Sequence, residues 1–86
     1  MYIILVYDIG ENRTQKACKY LRRHLNWVQR SVFEGDITEA RLIKIKSRLK
    51  KLMKGDDSVY IYTTRSDWII NREVLGKELG SNENVL

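Results

Sequence analysis

The chain is predicted to be α+β, a ferredoxin-like βαββαβ unit with an antiparallel sheet and two helices on one face. Three observations predict it. The sequence opens on a β-rich run, Tyr2–Asp8 (YIILVYD), which is apolar on both of its faces and suits a central, covered strand. Two later segments carry apolar residues at helical spacing. Each is followed by strand-forming residues, so the elements fall in the order β-α-β-β-α-β.

Ile9-Gly10 breaks the first strand, and Asn12 is placed to cap the helix that follows, with Gln15 three residues on to complete a capping box. Ala17, Cys18, Leu21 and Leu25 then share one helix face, while Arg13, Lys16, Lys19, Arg22 and Arg23 occupy the others; this helix is expected to end near residues 24–26. Trp27–Gln29 and Val32–Asp36 read as two short strands joined by a tight turn at Arg30-Ser31, or as one bent strand. Thr38 is a good N-cap and Glu39 suits the first turn of a second helix over Glu39–Met53, marked by Leu42, Ile45, Leu49 and Leu52. Gly55-Asp56-Asp57 ends it and leads into a strand over Ser58–Thr64, where Val59, Ile61 and Thr63 alternate with Tyr60, Tyr62 and Thr64.

Residues 1–65 thus form the core of a single domain. Residues 66–86 are a C-terminal extension, with Trp68-Ile69-Ile70 and Glu73-Val74-Leu75, expected to add an edge strand or embrace a partner. A sheet with both helices on one face leaves its other face bare, and a second copy of the sheet is the economical cover. A chain of 86 residues is also near the low end of what buries a self-sufficient core, so a homodimer is expected.

The charge is segregated. The net charge is +5, and residues 11–30 and 37–54 hold 13 of the 16 Lys and Arg but only 2 of the 11 acidic residues. Ordinary surfaces mix both signs; a concentrated basic field draws polyanions. The apolar run Ile3–Tyr7 is too short to span a bilayer, and no signal-peptide pattern opens the chain, so no membrane partner is expected. One cysteine, Cys18, makes no internal disulfide, which fits a reducing, cytoplasmic setting.

Missing residue types narrow the chemistry. One Cys and one His exclude a zinc cluster, and there is no phosphate-binding glycine loop or nucleophile elbow. Cys18 reads as a small core hydrophobe, and His24 as a residue at a helix C-terminus rather than a catalyst. Asp8 is the best candidate, a carboxylate fixed by a rigid strand just before a turn and a basic helix. Two roles suit it. It can turn the chain by bonding the amides of Gly10 or Glu11. Alternatively, with its copy across a two-fold axis, it can share one magnesium ion or flank one phosphate. The stretch Gln29-Arg30-Ser31-Val32-Phe33-Glu34-Gly35 also has two readings. Arg30, Ser31 and Phe33 either meet a phosphate and a base, or Ser31 turns a plain hairpin while Phe33 fills the core.

Taken together, Tyr2–Asp8-Ile9, Arg13 and Lys16 on the first helix, the Gln29–Gly35 stretch and the Asp57-Ser58-Val59-Tyr60-Ile61-Tyr62 strand resemble the CRISPR-associated protein 2 family. The resemblance runs over essentially the whole chain. It implies a ferredoxin-like homodimer of the spacer-acquisition machinery, associated with metal-dependent nuclease activity on RNA or duplex DNA and with the CRISPR-associated integrase (protein 1 of the system) as partner. By the same resemblance Asp8 is the catalytic and metal-binding candidate, for magnesium or manganese, with Arg13, Arg30, Ser31 and Phe33 as weaker supports. Phosphate contacts are expected from Arg13, Lys16, Lys19, Arg22, Arg23 and Arg30. A non-catalytic DNA-positioning adaptor is the alternative. A generic ferredoxin-like nucleic-acid-binding or regulatory domain is a third reading, although the aromatic strand signature of an RNA-recognition motif is missing.

Overall fold

Strand β1 (Tyr2–Asp8) divides its side chains between two environments. Ile3, Leu5 and Tyr7 are buried, Ile4 and Val6 are half-buried, and Asp8 is exposed. Alternation of this kind is what a strand gives when only one face is covered by its own chain. The computed structural model describes residues 1–78 and carries β1, α1 (Glu11–Leu21), β2 (Asn26–Gln29), β3 (Val32–Asp36), α2 (Glu39–Leu52), β4 (Ser58–Arg65) and β5 (Trp68–Gly76). The strands form one antiparallel sheet in the order β2-β3-β1-β4-β5. The ferredoxin-like arrangement, both helices on one face and the added edge strand are as predicted.

The helices and the inner sheet face share one core. Ala17 and Leu21 from α1 and Leu42, Ile45 and Leu49 from α2 pack on Ile3, Leu5, Phe33, Val59 and Ile61, all of them buried, with Cys18 half-buried against this core. Removing such surface from water supplies roughly 25 cal/mol per Å², the main favourable term in folding.

Two helix boundaries differ from expectation. Asn12 is not the cap: α1 begins at Glu11, Gly10 is its N-cap and no side chain caps it. Gly10 O accepts from both Arg13 N and Thr14 N, and the Asn12 Oδ1 is taken by Arg13 Nη1. The helix also stops at Leu21. His24 N donates to Leu21 O and Arg23 N to Tyr20 O, tightening the turn so that Leu25 reaches the core and β2 starts at Asn26. At α2 the expected cap is present, with Thr38 Oγ1 accepting from Arg41 N at 3.1 Å.

β2 and β3 are a true hairpin joined at Arg30-Ser31, with a bulge between Trp27 and Gln29, rather than one bent strand. The extension folds back on its own chain, β5 pairing with β4 from Ser58↔Gly76 to Arg65↔Trp68. Its last residues, 79–86, lie outside the described residues. No helix among the described residues is long and apolar enough to cross a membrane.

Among the described residues, no element covers the outer sheet face. Cross-strand register places Val32, Val6, Tyr60 and Val74 in one row across it, followed by Glu34, Ile4, Tyr62 and Arg72. The Tyr60 and Tyr62 rings stack at 6.5 Å, and the Arg72 guanidinium lies 5.6 Å from the Tyr60 ring centre.

Candidate active site

Asp8 stands at the last position of β1, on the outer face beside the Val32–Val6–Tyr60–Val74 row. On one side it pairs in register with Ser58 of β4. On the other, Tyr7 N donates to Ser31 O at 3.0 Å, and the Tyr7 hydroxyl donates to Arg30 O at 3.3 Å. The hairpin turn is thereby tied to the end of β1, so Asp8, Arg30 and Ser31 share one end of the sheet. Arg30 is exposed and Ser31 half-buried, and a shallow depression of about 490 Å³ is lined by Gln29, Arg30, Ser31 and Val32.

Asp8 is not the turn-former. The Gly10 amide, one of the two that role could use, donates instead to Asp57 Oδ1 at 2.9 Å. Asp57 is buried and receives a full set of donors: Gly10 N, Lys54 N at 2.9 Å, and Arg13 through both Nε to Oδ2 and Nη2 to Oδ1, each 2.9 Å. The Arg13 guanidinium, helped by the two backbone amides, holds the Asp57 carboxyl at about 2 against the burial that opposes ionisation. The carbonyl of Asp57 accepts from Lys77 N at 3.0 Å, so one residue pins the β1–α1 loop, the α2–β4 turn and the end of β5.

This clamp corrects the expectation for Arg13. Its guanidinium is spent on Asp57 and Asn12 and is not presented to a phosphate. Phe33 is corrected likewise. It is wholly buried, stacked between Tyr7 at 6.1 Å and Trp27 at 6.5 Å, and offers no face to a substrate. Phe33 is the core residue of its hairpin, as its second reading held.

Lys16, Lys19, Arg22 and Arg23 are exposed on or just after α1, on the helical side of the sheet, and Arg22 covers the Trp27 ring at 4.9 Å. They do not converge on Asp8. His24 sits in the turn after α1, where its Nδ1 accepts from Arg41 Nη1 at 3.0 Å. Burial and then the nearby Arg41, Lys44 and Arg23 cations lower its pKa.

Among the described residues no three His, Cys, Asp or Glu side chains gather as metal ligands. Asp8 brings one exposed carboxylate per protomer. An oxygen donor of this kind fits a hard divalent cation, since magnesium is held by one or two carboxylates with water and phosphate completing its shell, and a second copy would supply the second carboxylate.

Asp57 was not read from the sequence as part of this region, only as a turn residue. Its donors lie 3, 44 and 47 positions away, so no local spacing marks it.

Known proteins place this geometry. The family model described as CRISPR associated protein Cas2 matches residues 1–72. A protein of Pyrococcus furiosus named CRISPR-associated endoribonuclease Cas2 is 49% identical, and one of Methanosarcina acetivorans with the same name is 41% identical, both matched over the full length of both chains. Among solved structures, one titled as a crystal structure of cas2 superposes with a TM-score of 0.74 at 37% identity, covering 100% of this chain and 98% of that one. The Streptococcus pyogenes Cas2 structure at pH 6.5 gives 0.71 at 28% identity, covering 79% and 90%. These matches displace the generic-domain reading. By sequence over its whole length and by fold, the chain belongs to the Cas2 family of CRISPR-associated proteins.

Proposed function

We propose that the chain is an endonuclease of the CRISPR spacer-acquisition machinery, working as a homodimer in which the two Asp8 carboxylates hold one magnesium ion, or manganese in its place. The observation that carries this reading is the placement of Asp8. It is an exposed carboxylate at the rigid end of a central strand, with the Gly10 amide taken by Asp57, at the rim of a sheet face that the described residues leave uncovered. Packing the Val32–Val6–Tyr60–Val74 rows of two copies together buries apolar surface and brings two Asp8 residues toward one axis.

A divalent ion held by the two Asp8 carboxylates would supply Lewis acidity at the phosphodiester and a source of activated water. The chain's own residues do the rest. Asp8 orients the site, Arg30 neutralises charge on the phosphate and the Ser31 hydroxyl donates to a phosphate oxygen. Lys16, Lys19, Arg22 and Arg23 raise the local concentration of the polyanion. The endoribonuclease name of the relatives supports RNA as a substrate, with duplex DNA as the alternative.

The test compares wild type with Asp8→Asn on labelled RNA and duplex DNA across magnesium concentrations, with a chelator control. Cleavage is expected to fall at least about 100-fold in the variant and to vanish with the chelator, while folding and dimerisation persist. Equal cleavage by pure variant protein sinks the nuclease reading.

A second reading is favoured by one observation, that among the described residues no three His, Cys, Asp or Glu side chains gather as metal ligands. On this reading the dimer is a non-catalytic adaptor that positions DNA for the CRISPR-associated integrase. It predicts salt-sensitive duplex binding with no metal-dependent cleavage.

A further inference from the structure

Asp8 sits where the pairing of its own strand runs out. The ladder between β1 and β3 stops at Val6↔Val32, and past it only Tyr7 N reaches the hairpin, at Ser31 O. On the other side β4 follows β1 as far as Asp8↔Ser58. The chain then leaves the sheet through Ile9 and Gly10 and starts α1 at Glu11. A carboxylate placed here has one paired neighbour and a turn behind it, so its direction depends on what fixes that turn.

Asp57 fixes it from two sides. It directly precedes Ser58, the ladder partner of Asp8, and its side chain holds Gly10 N just beyond Asp8. Asp57 itself has no freedom to move. Its amide donates to Lys54 O at 3.0 Å, its carbonyl accepts from Lys77 N, and its carboxylate also accepts from Lys54 N and Arg13. The Arg13 guanidinium passes so close over Gly10 that a Cβ there would strike its Nη2. Gly10 has φ −54° and ψ 148°, angles open to any residue, so the guanidinium and not the backbone calls for glycine.

Charge explains why the clamp is a pair. An unpaired Asp57 adds a second anion beside the loop, and an unpaired Arg13 adds a cation that competes for the Asp8 carboxylate. Joined, they hold the loop and add no net charge.

We infer that Asp57 and Arg13 are positioning residues for Asp8, their clamp on Gly10 aiming its carboxylate toward a divalent ion. The inference rests on the reading that Asp8 holds such an ion. It gives Arg13 a part in the site with no contact to phosphate.

Manganese titration of the metal-free protein, followed by the electron paramagnetic resonance of the free ion, tests it alongside cleavage kinetics on labelled RNA. Gly10→Ala is the mildest variant, since only the far end of a flexible side chain must move aside. Arg13→Lys keeps the charge but loses the two-pronged contact. Asp57→Ala removes the clamp, and should it not fold, the other two decide. Each is expected to weaken manganese binding and to lower kcat by about 10- to 100-fold, while KM for RNA changes less than about 3-fold. Leu49→Ala, a buried core residue of α2 outside the clamp, controls for general loosening and is expected to keep wild-type manganese affinity. Wild-type affinity and kcat in the loop variants, with manganese lost in Asp8→Asn, overturn the positioning role and leave the Asp8 reading standing. An equal loss in Leu49→Ala overturns it as well, since any loosening of the fold then has the same effect. Wild-type manganese binding by Asp8→Asn overturns both readings.

Discussion

Two aspartates divide the work at the end of β1. Asp8 is exposed, whereas Asp57 is buried and takes the Gly10 amide that a turn-forming Asp8 could have used. The sequence makes Asp8 visible because a lone carboxylate closing an apolar strand stands out. It hides Asp57, whose meaning depends on Arg13 meeting it from 44 residues away. The same blindness made Arg13 look free and left Phe33 with two readings that only packing decides. Asp57→Ala leaves Arg13 without its carboxylate and the Gly10 and Lys54 amides without their acceptor, and is expected to cost about 3 kcal/mol in chemical denaturation. The pH dependence has a definite sign. The folded carboxyl is held at about 2, below its ordinary 3.8, so its stabilisation is present above about pH 4 and lost as pH falls toward 2. Melting curves are expected to show the gap between wild type and Asp57→Asn narrowing over that window. A constant gap contradicts the clamp.

At the scale of elements, pattern was a good guide to type and a weaker one to ends. The helix faces and the Thr38 cap followed from spacing, since those signals are local, whereas the hairpin was open against one bent strand until the pairing of β2 with β3 decided it. The start of α1 did not, because the Gly10 amide is bonded by Asp57 across the fold rather than by a cap nearby. The join between β5 and the rest of the molecule is also non-local. Gly76 sits at φ +82°, and a Cβ there would meet the backbone carbonyl of Asp57 and the methyl of Met53. Gly76→Ala is therefore expected to destabilise the protein by about 2 kcal/mol in denaturant melts. Hydrogen exchange is expected to rise first along β5. A neutral substitution contradicts this tight junction.

For the whole molecule, the segregated charge and the uncovered sheet face belong to one design. The helices turn a basic side to solvent, and the sheet turns an apolar row and Asp8 the other way. The architecture was legible because the periods of strand and helix alternate cleanly along the chain. The one-sided covering of β1 was not evident in its own residues, which are apolar on both faces; it came from the order of elements. The central claim is that a copy completes the site, and mixing subunits tests it most directly. Wild type and Asp8→Asn, unfolded together in equal amounts and refolded, give dimers of which about one quarter carry two Asp8 residues. If both carboxylates are needed, metal-dependent cleavage is predicted to fall to about one quarter of that of the same total amount of wild type. Cleavage at about one half means that each Asp8 works alone, which contradicts a shared site.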